Sequence, residues 1–115
     1  MATDCLFCKM VSGAIKPATV YEDEHVLAFK DINPQAPLHV LVVPKRHIVT
    51  LNDLKPADAE LVGKLFLAAA KVARDGGVAD SGYRTVMNCN ADAGQSVWHL
   101  HLHVLGGRGM HWPPG

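Results

Sequence analysis

The clearest pattern in the chain runs from Trp98 to Leu105, where His99, His101 and His103 alternate with Leu100, Leu102 and Val104. A strand sends successive side chains to opposite faces, so the run predicts a strand with three imidazoles on one face, about 6.5–7 Å apart. Its other face is apolar and suited to a core. A second β-rich run spans Leu38 to Val43 and is ended by Pro44. It sets His39, Leu41 and Val43 on one side and Leu38, Val40 and Val42 on the other. Thr19–Tyr21 and His25–Phe29 flank the acidic turn Glu22-Asp23-Glu24 and read as a hairpin, and Tyr83–Met87 reads as a further strand.

Helical spacing appears twice. From about Pro56 to Arg74, Leu61, Leu65, Ala68, Ala69 and Val72 form an apolar stripe. Pro56 suits a first turn, Asp58 and Glu60 favour the positive helix end, and Gly76-Gly77 stops the run. Leu6 to Val11 predicts a short helix stopped by Ser12-Gly13. The prolines of Asp31-Ile32-Asn33-Pro34-Gln35-Ala36-Pro37 make that stretch a loop. Asn90 to Gln95 is a polar loop, and 106–115 is an irregular tail. Five short strands with one long and one short helix predict an α+β fold around a mainly antiparallel sheet. The 115 residues are expected to form one domain, 1–115.

Composition narrows the classes of function. Acidic and basic side chains balance at 11 each, so no surface for bulk nucleic acid is expected. No apolar run is long enough for a membrane span. The start Met1-Ala2-Thr3-Asp4 lacks the features of a secretory leader, which predicts a cytoplasmic protein without a membrane partner. Three cysteines, an odd number, fit a reducing compartment, where Cys5 and Cys8 read as thiolate ligands or as free thiols.

Three histidines on one patch suggest chemistry near neutral pH. A neutral imidazole can attack phosphorus, and a neighbouring imidazole can stabilise phosphate charge. His101, flanked on both sides, is the natural nucleophile. Gly94-Gln95-Ser96 immediately upstream supplies a turn whose backbone N–H groups can cradle an anion, and Gln95 and Ser96 add side-chain donors. A catalytic metal held by His99, His101 and His103 is the alternative use of the same three rings. In the tail, Met110 and Trp112 either fray or dock on a neighbouring subunit.

Gly94-Gln95-Ser96-Val97-Trp98-His99-Leu100-His101-Leu102-His103-Val104 resembles the signature of the histidine triad (HIT) superfamily. Asp31 to Pro37, Pro44-Lys45-Arg46-His47, Asn88 and the ending Gly106 to Gly115 extend the likeness, most closely to its nucleotide-binding branch. The resemblance implies a HIT-like fold, a homodimer whose sheets join with the tail at the interface, and binding of purine nucleoside monophosphates, AMP or GMP. It implies hydrolysis of adenosine 5'-phosphoramidates to AMP and an amine through a nucleotidyl-histidine, with no metal required for the chemistry. By the same resemblance His101 is the nucleophile. His103, Ser96 and the backbone of Gly94 and Gln95 contact the α-phosphate, and Asn88 lies at the phosphate and ribose. Asp31 takes the ribose hydroxyls, and Ile32, Phe7, Met10 and Phe29 wall the base. His39 and His99 orient the nucleophile and help move its proton.

Cys5-Leu6-Phe7-Cys8 has the spacing of a zinc knuckle, and His47 and His99 are candidates for the two further ligands. Some histidine triad proteins hold a structural zinc on such a set, and the resemblance implies the same here. The rival readings are a dinucleoside polyphosphate hydrolase or nucleotidyl transferase using the same His101, and a nucleotide-binding regulatory or scaffold protein with weak activity.

Overall fold

The computed structural model describes residues 4–115; residues 1–3, part of the stretch read as lacking a leader, lie outside it. Five strands form one sheet: β1 (Thr19–Glu22), β2 (Val26–Lys30), β3 (Leu38–Pro44), β4 (Tyr83–Val86) and β5 (Leu102–Gly106). The spatial order is β1-β2-β3-β5-β4, and every adjacent pair is antiparallel. Two α-helices, α1 (Leu6–Ser12) and α2 (Ala59–Asp75), complete the α+β architecture. No helix among the described residues is long and apolar enough to cross a membrane.

The alternation read from the sequence divides the core in two. On one face Val26, Ala28, Val40, Val42, Leu100, Leu102 and Val104 meet the α2 stripe of Leu65, Ala68, Ala69, Val72 and Ala73. Each large aliphatic side chain buried this way contributes about 1.5–3 kcal/mol. On the other face Leu27, Phe29, Leu41 and Val43 pack against Phe7 of α1. The short helix therefore covers the face on which His39 and the triad lie.

Two elements differ from the sequence expectation. The run from Pro56 begins as a 3-10 turn, Pro56–Asp58, and the α-helix starts only at Ala59. Asp58 causes the delay: its carboxylate accepts the Lys55 N–H at 2.9 Å and pairs with Arg46 across the turn. The Arg46 guanidinium lowers the Asp58 pKa below the ordinary carboxylate range.

The histidine strand is also shorter than expected. It starts at Leu102 rather than Trp98: the last β3–β5 pair is Val42 with Leu102, although β3 itself runs on to Pro44 against β2. Upstream of that pair the chain leaves the ladder, and the Leu100 N–H bonds to the Ile48 carbonyl at 2.6 Å. The side-chain alternation nonetheless continues, since Leu100 is buried in the α2-side core while His99 touches Phe7 on the opposite face.

Candidate active site

The face opposite α2 opens into a cleft of about 440 Å³. Its apolar wall is Leu6, Phe7 and Met10 of α1 with Phe29 and Leu41 of the sheet, and its polar end holds Asp31, Ser96, His101 and His103. Phe7 is the hinge of this wall. Its ring lies edge-on to Phe29 at 5.3 Å and to His101 at 5.2 Å between centroids. The helix that carries it is defined at both ends. The Cys5 sulfur accepts the Cys8 N–H, and Gly13 closes the last turn at φ 86°, a conformation that a side chain would strain.

The hydrogen bonds assign the protons of three imidazoles. The His101 Nδ1 lies 2.7 Å from the His99 carbonyl oxygen, which can only accept, so Nδ1 carries the proton and Nε2 keeps its lone pair. The Gln35 N–H donates to His39 Nδ1 at 3.0 Å, which places the His39 proton on Nε2. That Nε2–H faces His103 Nδ1 at 2.9 Å, with Asp31 Oδ2 at 3.4 Å. The His103 Nδ1 therefore accepts, and its Nε2–H remains to donate. His101 and His103 stand side by side, their rings 5.0 Å apart. One offers a lone pair, and the other a donor.

Burial keeps these rings neutral at pH 7. It lowers the pKa of His101, opposed by the hydrogen bond to the His99 carbonyl and by Asp31. It lowers His39 too, against the pull of Asp31. His103 is pushed down to about 4, first by burial and then by His101 and His39.

His99 stands apart. It is fully buried, and its Nε2–H donates to the Pro44 carbonyl at 2.8 Å, which leaves Nδ1 as a lone-pair donor. That nitrogen meets His47 Nδ1 at 3.1 Å, Cys5 Sγ at 3.3 Å and Cys8 Sγ at 3.5 Å, and Cys8 Sγ lies 3.3 Å from His47 Nδ1. Ligand bonds of the lengths usual for zinc imply tetrahedron edges of about 3.3–3.8 Å. The observed separations match or fall just short of these edges, so the four residues fit a tetrahedral ion. Burial, with Cys5 beside it, pushes the metal-free Cys8 thiol up to about 11, as expected of a thiolate that needs a cation.

The triad does not bring three donor atoms together. Among the described residues the groups that do are Cys5, Cys8, His47 and His99, and separately Asp31, His39 and His103. In the second group the His39 Nε2 carries a proton and has no lone pair for a cation, so that group is a hydrogen-bond chain.

Several expected roles are redistributed by this geometry. The ring of His99 does not reach His101; its backbone carbonyl does. His39 fixes His103 rather than His101. Asp31 and Ile32 line the cleft as expected, whereas Asn88, Gly94 and Gln95 are not part of its lining. The Gly94 and Gln95 N–H groups bond to the Ala91 and Asn90 carbonyls. Gln95 is buried, its amide braced between Val49, Val97 and Asn90. Sequence reasoning missed the Gln35 N–H and the cleft walls Leu6, Ile15, Lys16, Pro17, Ala18, Lys30, Leu41 and Val97. Of these only Leu41 carried a signal, since it shares a face with His39 in β3.

An antiparallel sheet with a neutral, backbone-oriented histidine beside a donor histidine in a nucleotide-sized cleft defines the class, and the chain belongs to the HIT family. The HIT domain model matches residues 12–110. The chain is 51% identical over 115 residues, all of both chains, to an uncharacterized HIT-like protein of Synechocystis sp.. It is 44% identical to the purine nucleoside phosphoramidase of Escherichia coli over 108 residues, 94% of this chain and 91% of that one. The crystal structure of a HIT family hydrolase from Legionella pneumophila superposes with a TM-score of 0.95 at 51% identity, covering 96% of this chain and 99% of that one. The protein is a hydrolase of this family.

Proposed function

We propose that the protein is a purine nucleoside phosphoramidase that hydrolyses the P–N bond of adenosine 5'-phosphoramidates. The observation that carries this reading is the His101 tautomer: Nδ1–H is committed to the His99 carbonyl, and the neutral Nε2 belongs to a ring that lines the cleft. In the first step Nε2 attacks phosphorus, the P–Nε2 bond forms and the P–N bond to the amine breaks. The His103 Nε2–H donates to a non-bridging oxygen as charge grows there. The Ser96 hydroxyl, in the cleft lining, is the candidate proton donor to the departing amine. Water then attacks the nucleotidyl-histidine, releasing AMP and free His101. Asp31 takes the ribose hydroxyls, and Phe7, Met10, Phe29 and Ile32 hold a purine, adenine or guanine. The relative from Escherichia coli, itself a purine nucleoside phosphoramidase, supports the choice of substrate.

Cys5, Cys8, His47 and His99 hold a structural zinc in this reading, outside the chemistry. Four protein ligands leave no open position for an activated water. Reduced cysteines suit a cytoplasmic setting. A homodimer would cover Phe66 and Leu67 of α2, which are 47% and 73% exposed in the single chain, together with the free edge of β4 and Trp112 of the tail.

Rapid acid quench of a reaction with an adenosine phosphoramidate, followed by mass analysis of the peptide containing His101, tests the proposal. An AMP adduct on that peptide is expected. Steady turnover with no adduct, or a larger kcat/KM for dinucleoside polyphosphates, would overturn it in favour of another reaction.

A further inference from the structure

His99 takes part in two assemblies at once, and this dual membership has a consequence for control. Its ring belongs to the Cys5, Cys8, His47 cluster, while its carbonyl holds the Nδ1–H of His101 at 2.7 Å. Phe7 strengthens the connection. It stands between the two cysteines in sequence, contacts the rings of both His99 and His101, and forms part of the cleft wall. Whatever changes the cysteines therefore acts on the residue whose carbonyl orients the nucleophile.

We propose that the Cys5–Cys8 pair is a thiol switch on the nucleophile, with Cys5, Cys8 and His47 acting as positioning residues through His99. The inference rests on the phosphoramidase reading for its activity readout, and on the metal fit for its resting state. The oxidant is a peroxide. One thiolate attacks the O–O bond, which breaks with release of water after one proton is taken up, leaving a sulfenic acid. The second thiolate then forms the S–S bond and, with a second proton, releases a second water. Two electrons pass from sulfur to oxygen, and the cation departs.

The two cysteines are suited to the step. They lie in a Cys-x₂-Cys spacing at the start of α1, both half-buried, and their sulfurs are within 4.8 Å of each other. Once they are joined and the cation has left, the His99 ring keeps the Pro44 carbonyl and the edge of Phe7 but loses the bond that tied its Nδ1 to the rest of the cluster. The backbone at His99 is then free to shift, and His101 Nδ1–H loses the acceptor that fixes its tautomer. The helix itself stays docked, because Phe7 remains packed against Phe29 and the surrounding core residues. The switch therefore acts on kcat more than on nucleotide binding.

The experiment uses the zinc-loaded full chain carrying Cys89→Ser, so that the third thiol is silent. Hydrogen peroxide is added while zinc release, free thiols, kcat, AMP affinity and the ring ¹⁵N resonances of His101 are followed. Expected are loss of one zinc and two thiols, at least a fivefold fall in kcat with AMP affinity within twofold, and broadening or a tautomer shift at His101. Dithiothreitol with zinc should reverse all of it, which separates the switch from methionine oxidation, since thiol reductants do not readily reverse that. His47→Ala, with both cysteines intact, should lower kcat to the level of the oxidised protein.

Loss of zinc and both thiols with kcat and the His101 resonances unchanged would overturn the proposal. So would cysteines that remain reduced in peroxide sufficient to oxidise free cysteine. If the untreated protein lacks phosphoramidase activity, the functional reading fails instead, and the His101 resonances still decide whether the cluster positions the ring.

Discussion

His101 and His99 lie two residues apart and on the same face, yet their surroundings give them opposite uses. His101 gives its Nδ1–H to a carbonyl and keeps an Nε2 lone pair in a ring on the cleft. His99 gives its Nε2–H to the Pro44 carbonyl and turns the Nδ1 lone pair toward two sulfurs and His47. In each ring a backbone carbonyl takes one proton and so decides which nitrogen is available. The partner of the spent nitrogen thus divides a repeated motif into a half that faces the cleft, the chemical half of the proposed function, and a half that faces the cysteines, its structural half. The two halves share one peptide unit, because the carbonyl that orients His101 belongs to His99.

The sharpest way to break this comparison is to remove the chemical half. His101→Ala should lower kcat/KM for an adenosine phosphoramidate by at least about 10³-fold while AMP still binds within a few-fold, because a nucleophile contributes mainly to the transition state. Steady-state kinetics beside calorimetric titration with AMP would check this, and retained turnover would end the assignment. His39→Ala comes next. It removes the donor that fixes the His103 tautomer, and a loss of about 10–100-fold in kcat with a smaller change in KM is expected. An equal loss in KM would mean that His39 serves binding rather than orientation.

The structural half should answer in stability. Prolonged dialysis against a zinc chelator should lower Tm by about 10 °C, and Cys5→Ser should match the dialysed protein and respond no further. Identical Tm values before and after metal removal would make the four-residue cluster a coincidence of packing.

The smallest effect is the dependence of stability on pH. The His103 pKa, pushed down to about 4 in the folded protein, lies below the 6.5 usual for an imidazole in an unfolded chain. Its contribution is complete above pH 6.5. It is lost as pH falls toward 4, where the unfolded chain binds the proton and the folded one does not. A decline on the order of 2 kcal/mol over that window is expected from urea unfolding, and His103→Asn should flatten it. Parallel curves for the two proteins would show that the buried ring is not the source.

Much of this was legible before any coordinates. The two-way alternation of Leu38–Val43 and the stripe of α2 reported both core layers, because periodicity is a local property of strand and helix. The same alternation marked His101 and His103 of the cleft, whereas Asp31, in a loop, was marked only by the family resemblance. The start of β5 was not legible from the pattern, since the alternation of Trp98–Leu105 continues where the ladder has stopped. Pairing gives way there to the bond from the Leu100 N–H to the Ile48 carbonyl, a fact about a different segment. The surroundings of the Gln95 side chain were not legible on similar grounds. Its amide is consumed by Val49 and Val97, and a loop sequence does not disclose how its own polar groups are satisfied.

By itself, then, the sequence determined which side chains share a face, because side-chain direction follows from backbone period alone. Tertiary structure decided which nitrogen of each histidine is free, because that depends on the acceptor or donor that a distant segment brings to the ring. Pro44 and Gln35, from segments remote in the chain, make those choices for His99 and, through His39, for His103. For His101 the acceptor is only two residues away, yet it belongs to a residue whose ring is held by Pro44 of another strand.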